Sequence, residues 1–487
     1  MPKRLIQKIT GFLSQKRTSQ TEATVRPPAP KADVVEKTNV IETLANGAVV
    51  IPEDIHQIRR KFLDDNATKV VYRLTDQGHE AYLVGGCIRD LLLKKRPKDF
   101  DVATSAHPEQ AHELFKRSRL IGRRFKLLHV RFGREIIEVA TFRADHDSAK
   151  KQSDNHGKQA DSGLILRDNV YGSIEDDAIR RDFTINALYY CVNSHKIYDF
   201  TQGYEDLNAK KIRMIGDPES RYREDPVRML RAIRFAAKLK FSIEPQTEAP
   251  IRELSGLLQG IAPARLFDEV LKLFQSGHAV GSFTLLREYD LFVQLLPGVE
   301  AALQQDDSGL VESLIVAGLK NTDRRINQRK SVTPAFLYAT MLWHPLQTRM
   351  QALRDADSKM PVLAALHAAA NDVLAEQVKR TAIPRRFSTP IREIWELQLR
   401  LPRRHGNRAQ QTLDHPRFRA AYDLLLLREQ SGESLDNLGE WWTEFQSANS
   451  ERKEEMVNAI PTDKGARSPR KPRRRSRAKN DPRNKTS

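Results

Sequence analysis

The alternation of polar and apolar positions divides this 487-residue chain into two regimes. From Ile51 a mixed pattern predicts a helix to about residue 77, and the apolar run Ala81-Tyr82-Leu83-Val84 then reads as a short buried strand ended by Gly85-Gly86. A helix is expected over 88–93. Residues 99–103 and 134–141 alternate with period two, so each reads as a strand with two distinct faces. The polar stretch from about 145 to 162 has no periodicity and is too long for an ordinary connection, which predicts a mobile flap or a disordered segment. Past Glu175 the pattern is mainly helical to the end, with helices at 177–188, 226–240 and 263–275 and several amphipathic segments between about 280 and 449. The expected fold class is α+β, a small mixed-sheet head followed by an elongated all-helical neck and body, with disordered basic tails. No internal repeat is visible.

Charge sharpens this picture. Lys and Arg total 81 against 63 Asp and Glu, a balance of +18, which favours an anionic partner, most commonly nucleic acid. Residues 464–487 hold eleven Lys or Arg against one acid, Asp481. Rich in Pro, Ser and Arg, this tail has almost nothing to bury, so it is expected to be disordered and to attract phosphates without reading sequence. Two cysteines, Cys87 and Cys191, and the lack of any run of eighteen apolar residues exclude a disulfide framework, a thiolate metal site and a stable membrane span. A reducing, cytoplasmic setting fits. The start is basic, with Leu5, Ile6, Ile9, Phe12 and Leu13 at helical spacing before Pro27, Pro28 and Pro30. It lacks a signal peptide's apolar core, and a helix this short is marginal alone, so a disordered leader is expected rather than a membrane- or partner-touching helix. The organisation predicted is a leader over 1–50, a head over 51–215, a neck over 216–280, a body over 281–455 and a tail over 456–487.

Candidate chemistry begins at Asp99 and Asp101. Residues two apart on a strand point to one side, so the two carboxylates would converge about 6 to 7 Å apart, a geometry that clamps divalent cations. Taken alone, Asp-x-Asp is more often a solvated strand end. Gly85-Gly86 lies upstream at a strand-to-helix turn, where the missing side chains would let backbone amides approach a phosphate. Arg89 and Asp90 follow on the first turn of that helix; the arginine would reach a triphosphate or pair with Asp90. A third carboxylate would come from Glu138 or Glu135, between which periodicity does not choose.

These residues resemble a family. Leu83-Val84-Gly85-Gly86-Cys87-Ile88-Arg89-Asp90 followed by Asp99-Phe100-Asp101 is similar to the signature of the class II nucleotidyltransferases, which comprise the bacterial poly(A) polymerases and the enzymes that build the CCA end of tRNA. Arg180-Arg181-Asp182-Phe183-Thr184-Ile185-Asn186-Ala187 resembles the family's nucleotide-binding motif. The run from Glu224-Asp225-Pro226-Val227-Arg228 to Phe235 resembles its neck-helix motif. Leu120-Ile121-Gly122-Arg123-Arg124-Phe125-Lys126-Leu127-Leu128-His129-Val130 resembles the segment that separates the poly(A) polymerases from the CCA-adding enzymes, and 265–273 resembles a later helix of the poly(A) polymerases. Read physically, Arg180 and Arg181 offer forks for phosphate, Asn186 can meet sugar hydroxyls, and Asp182 can accept from a ribose or orient an arginine. Asp225 reads as an N-cap with Pro226 at the first helical position, after which Arg228, Arg231 and Arg234 recur on one side toward an anion.

The resemblance implies a nucleotidyltransferase head and template-independent addition of AMP from ATP to RNA 3′ ends, serving RNA processing and decay. It implies two Mg²⁺ ions, with Mn²⁺ as a substitute, on Asp99, Asp101 and Glu138, and Asp182 counted with the catalytic residues. Gly85, Gly86, Arg89, Asp90, Arg181, Asn186, Arg228, Arg231 and Arg234 would bind nucleotide. Expected partners are RNA 3′ ends and ATP, with RNA-decay proteins as further candidates, around a monomer. CCA addition to tRNA, or an RNA-binding adaptor without catalysis, are the alternatives. Trp395, Phe418, Tyr422, Trp441 and Trp442, interleaved with basic residues in the body, are expected mainly in the core.

Overall fold

The computed structural model describes residues 40–122, 126–144 and 170–461, with 157–159 and 165–168 described by backbone alone. The mixed sheet comprises β1 (Glu42–Thr43), β2 (Val49–Ile51), β3 (Ala81–Val84), β4 (Asp101–Thr104), β5 (Ser118–Ile121), β6 (Leu127–Phe132) and β7 (Glu135–Thr141). A backbone pair, β8 (Gly157–Gln159) and β9 (Ile165–Asp168), stands apart, and β10 (Leu188–Cys191) and β11 (Lys196–Asp199) return to the main sheet. Its order is β1-β2-β11-β10-β3-β4-β7-β6-β5, antiparallel throughout except for the parallel pair β4–β7.

Alternation along the strands makes two faces. Leu83, Val102, Val130, Ile137 and Val139 pack with the helix Asp65–Thr75, whose Val70, Val71 and Leu74 are buried. That helix starts at Asp64, whose side chain accepts from the Ala67 N–H, the arrangement expected of an N-cap. The opposite face buries Val84, Ala103 and Tyr189 against Ile174 and Ala178. Each such aliphatic contributes about 1.5–3 kcal/mol of burial, so both faces are firmly covered.

Several expectations are corrected. No single helix spans 51–77: Val49–Ile51 joins the sheet beside β11, and the short helix Glu53–His56 ends at Gln57 in the left-handed region with φ +60°. The end of the predicted leader is thus ordered, because Val50 and Ile51 are buried. The strand expected at 99–103 begins at Asp101, leaving Asp99 on the irregular segment before it. The helix expected at 177–188 is Ile174–Arg180, started by a Ser173–Asp176 capping box and followed by extended backbone at Arg181. Past Glu175 the chain is mainly helical as expected, with one exception that the pattern did not show: Leu-Tyr-Tyr-Cys at 188–191 pairs with β3 and β11, where aromatic residues suit the pleated surface of a sheet. The aperiodic stretch falls almost wholly outside the described residues, as do 123–125, 1–39 and 462–487.

The remainder is helical. The arginine-bearing helix Val227–Leu239 buries Val227, Leu230, Ile233 and Ala236 on one side, close to the predicted bounds. Asp225 does not cap it; Pro226 is the N-cap, and the Asp225 carboxylate accepts from Arg265 at 2.7 Å instead. One apolar core runs from Phe183 to Leu427, and a smaller one from Leu397 to Met456 surrounds Trp442. Trp395, Phe418, Tyr422 and Trp442 are buried in these cores, and Trp441 is half-buried. The last helix, Ser450–Asn458, carries order past the expected start of the tail by burying Met456. Among the described residues, no helix is long and apolar enough to cross a membrane.

Candidate active site

The register of the central strands assembles the carboxylates. Asp101 is opposite Val84 on β3 and Glu138 on β7, so the Gly85-Gly86 turn and both acids lie at one edge of the sheet. Residues in register share a face, and Glu138 therefore lies on Asp101's side while Glu135 belongs to the other, where it accepts from Asn66 Nδ2 at 2.5 Å. Across the β6–β7 pair, His129 Nε2 stands 3.3 Å from Glu138 Oε1. Asp99 is largely exposed, with Lys98 Nζ 3.6 Å away.

Burial first, and then the charges of Glu138 and Asp99, push the Asp101 carboxyl up to about 6, with Arg181 partly opposing them. Among the described residues, no three His, Cys, Asp or Glu side chains form a ready-made metal site. The donor chemistry nevertheless fits a hard divalent cation. Asp99, Asp101 and Glu138 supply only carboxylate oxygens, and their mutual repulsion is what bound positive charge would relieve.

Gly85 has φ +82° and ψ −134°, a conformation open essentially to glycine alone. A Cβ there would lie 3.7 Å from Arg181 Nη1, so the turn is seated against that guanidinium. Arg181 donates to Asp177 Oδ2 (2.8 Å) and to the Tyr189 hydroxyl (2.8 Å). Asp177 is buried; burial alone would raise its carboxyl, but Arg181, Arg143 and the Tyr189 hydroxyl outweigh that and hold it below the usual carboxylate range.

A second chain of side chains ties the glycine turn to the arginine helix. Arg89, only 2% exposed, donates to Asp90 Oδ1 and to Asn186 Oδ1 at 2.6 Å; Asn186 Nδ2 donates to Asp182 Oδ1 at 3.2 Å. Asp182 Oδ2 accepts from Arg231 Nε at 2.6 Å, and Asp182 Oδ1 also accepts from the Phe183 N–H. Burial would raise the Asp182 carboxyl, but the Arg231 charge and these hydrogen bonds hold it at about 2. Of the alternatives open from sequence, Arg89 pairs with Asp90, and Asp182 orients an arginine.

Arg228 donates to Glu224 Oε2 and to the Arg221 carbonyl, both at 2.8 Å. Arg234 is different. Half-buried, it has no ion pair among the described residues; it lies with Arg89 and Arg231 around the Phe235 ring, and burial followed by Arg231's charge lowers it to about 10. Thus, of the three helix arginines, Arg228 and Arg231 are ion-paired and Arg234 is not, among the described residues.

The sequence alone singled out no role for Asp177, Tyr189 or Lys238, and placed Arg265 only within the segment 265–273. Asp177 stands four residues before Arg181, a helical pairing that could have suggested it. Lys238, 3.7 Å from Asp90, and Arg265 on Asp225 join segments far apart in the chain, and no local pattern marks them.

Comparison with known proteins agrees with this geometry. Residues 81–213 match the Poly A polymerase head domain, 240–303 the probable RNA and SrmB-binding site of polymerase A, and 358–479 the polymerase A arginine-rich C-terminus. The chain is 49% identical over 430 residues to poly(A) polymerase I of Salmonella typhimurium, covering 88% of this chain and 91% of that protein. It is 50% identical to poly(A) polymerase I of Haemophilus influenzae, covering 80% and 86%. The fold is similar to that of the Bacillus stearothermophilus CCA-adding enzyme in complex with CTP, at a TM-score of 0.53 and 23% identity, covering 83% of this chain and 84% of that one. With its acidic sheet edge, its glycine turn and near-full-length identity of about one residue in two, the chain belongs to the bacterial poly(A) polymerases.

Proposed function

We propose that the protein adds AMP from ATP to RNA 3′ ends without a template, releasing pyrophosphate. The observation that carries this reading is the β4–β7 register, which sets Asp101 beside Glu138 next to the Gly85-Gly86 turn. Asp99, Asp101 and Glu138 would hold Mg²⁺, or Mn²⁺ in its place, two ions in all. Bound there, such cations lower the pKa of the terminal hydroxyl and stabilise charge on the leaving pyrophosphate. The 3′ hydroxyl attacks the α-phosphate in line with that leaving group. Gly85 and Gly86 admit the triphosphate close to the backbone, and Arg234 offers it an uncompensated charge. The Arg89–Asn186–Asp182–Arg231 chain, buried at its Arg89 and Asn186 end, keeps the pocket wall in one arrangement, so little reorganisation accompanies the reaction. Arg228 and Asp90 act in the same way, through Glu224 and Arg89.

We divide the chain into a catalytic head over 51–215, a nucleotide- and RNA-binding neck over 216–280, an RNA-binding body over 281–455 and a basic tail over 456–487; the matches of 81–213 to a head domain and of 358–479 to an arginine-rich C-terminus support this reading. The match of 240–303 to a probable RNA and SrmB-binding site supports contacts with RNA and RNA-associated proteins there, and a role in RNA processing and decay in the cytoplasm follows from that reading.

Purified protein given labelled RNA and each nucleotide separately tests the proposal. Long adenylate tails are expected, with Asp99→Ala and Asp101→Ala inactive yet still binding RNA. Addition halting after CCA on tRNA would identify the sister activity, and binding without incorporation in either Mg²⁺ or Mn²⁺ would leave only an adaptor.

A further inference from the structure

A wide cleft lies between residues 56–66 and the segment 91–100 that leads into β4, on the sheet face that carries Glu135, and encloses about 1130 Å³. That exceeds the roughly 300–1,000 Å³ of pockets that enclose a small ligand, so a length of polymer suits it better than a single nucleotide. Its walls carry Arg59, Lys61, Lys94, Lys95 and Arg96, all exposed, and among the described residues none of these side chains is in an ion pair or hydrogen bond. The acids in the same cleft are already engaged: Asp64 caps the Asp65–Thr75 helix, Asp65 accepts from Arg60, and Glu135 accepts from Asn66. The surplus is therefore positive.

Two further features point to a strand of RNA. Phe62, 51% exposed, lines the cleft; Lys61 Nζ lies 5.2 Å from its ring centroid, and a base stacking on the ring would meet that cation beside it. Lys98 and Phe100, the residues on either side of Asp99, also line it, so the cleft reaches the segment that carries Asp99 from the face of the sheet opposite Asp101 and Glu138.

We propose that this cleft holds single-stranded RNA upstream of the 3′ end being extended, with phosphates on its unpaired cations and a base on Phe62. The inference rests on the reading of the protein as an RNA-extending enzyme. It makes the head a holder of RNA, in addition to the helical body and basic tail. Because backbone charge and stacking are both blind to sequence, this cleft would accept any RNA and would retain a growing adenylate tail.

The full chain carrying Arg59→Gln, Lys61→Gln, Lys94→Gln and Arg96→Gln tests this, since glutamine keeps the stems and removes the charge. Binding of a fluorescent oligoadenylate of roughly 16 nucleotides is measured against salt, and KM and kcat are measured on that primer and on a trinucleotide. Expected are a Kd and KM raised about 10-fold or more on the long primer, and a log–log salt slope reduced by up to roughly 3, at 0.7 per lost phosphate contact on a single strand. Trinucleotide kcat is expected to be unchanged. Phe62→Ala should weaken long-primer binding without altering the slope. Should the quadruple variant melt early, Lys94→Gln with Arg96→Gln on the exposed segment carries the same test, with a slope reduced by roughly 1.4. Unaltered long-primer affinity and slope would overturn the proposal, as they would if the cleft served an acidic protein instead. Wild-type protein that binds RNA with this salt dependence but incorporates no nucleotide would instead sink the catalytic reading and leave the cleft standing.

Discussion

Replacing Asp182 with Asn isolates the electrostatics of the pocket wall. In the wild type the Asp182 carboxylate accepts from Arg231, Asn186 and the Phe183 N–H and is held at about 2, against 3.8 for an ordinary aspartate. At 1.36 kcal/mol per pKa unit, a shift of this size is worth roughly 2 kcal/mol of folding stability. The folded-state pKa is depressed, so this stability is fully present above pH 4 and is lost as pH falls through about 2. Asp182→Asn keeps an oxygen for Phe183 but leaves Arg231 without its counter-charge. Since Arg231's side chain is 33% exposed, water offsets part of the cost, and the loss at pH 7 should stay near 2 kcal/mol rather than the roughly 3–5 of a fully buried broken pair. Urea unfolding of wild type and variant at steps from pH 7 to pH 2 measures the difference, which cancels the titration of all other carboxylates common to both. The gap is expected to be constant down to about pH 4 and to close toward pH 2. A gap that stays the same over the whole range would refute an ionised Asp182–Arg231 pair as its source.

Three other outcomes are expected. Gly85→Ala forces a side chain into a backbone region nearly closed to alanine and costs about 1–3 kcal/mol, visible as a lower melting temperature together with lost incorporation, because the turn seats on Arg181. Gly203→Ala sets a methyl onto the Thr184 carbonyl, and overpacking of about 1–3 kcal/mol should lower the unfolding midpoint while ATP affinity of the folded fraction is retained; an unchanged midpoint would show that the backbone yields there. Asp101→Ala should weaken Mn²⁺ binding followed by electron paramagnetic resonance, in the absence of RNA and ATP, and an identical Mn²⁺ titration would remove Asp101 from the metal ligands.

Local patterns made much of the head legible. The apolar run 81–84 became β3 with the predicted bounds, and the alternating run before Thr141 became β7, because a strand's period shows directly in which residues must be buried. The arginine helix was legible for the same reason at period 3.6. The hairpin β10–β11 was not, since a run such as Leu-Tyr-Tyr-Cys acquires strand character only from β3 alongside it. Likewise the strand rule that joined Asp99 to Asp101 does not hold, as Asp99 precedes β4, and the two carboxylates are related through space by their charges.

Which chemistry-bearing residues exist, and in what order, was therefore determined by the sequence itself: the glycine turn, the acidic pair, the arginines at three-residue spacing. Which of them are free to act was decided only by tertiary contact. Glu138 rather than Glu135 joins Asp101 because β7 lies parallel to β4 in one register, and Arg89 and Arg231 are neutralised by Asp90 and Asp182 while Arg234 is not. A side chain's charge is written in its own identity, but its availability depends on partners brought in from distant segments, which no local periodicity encodes.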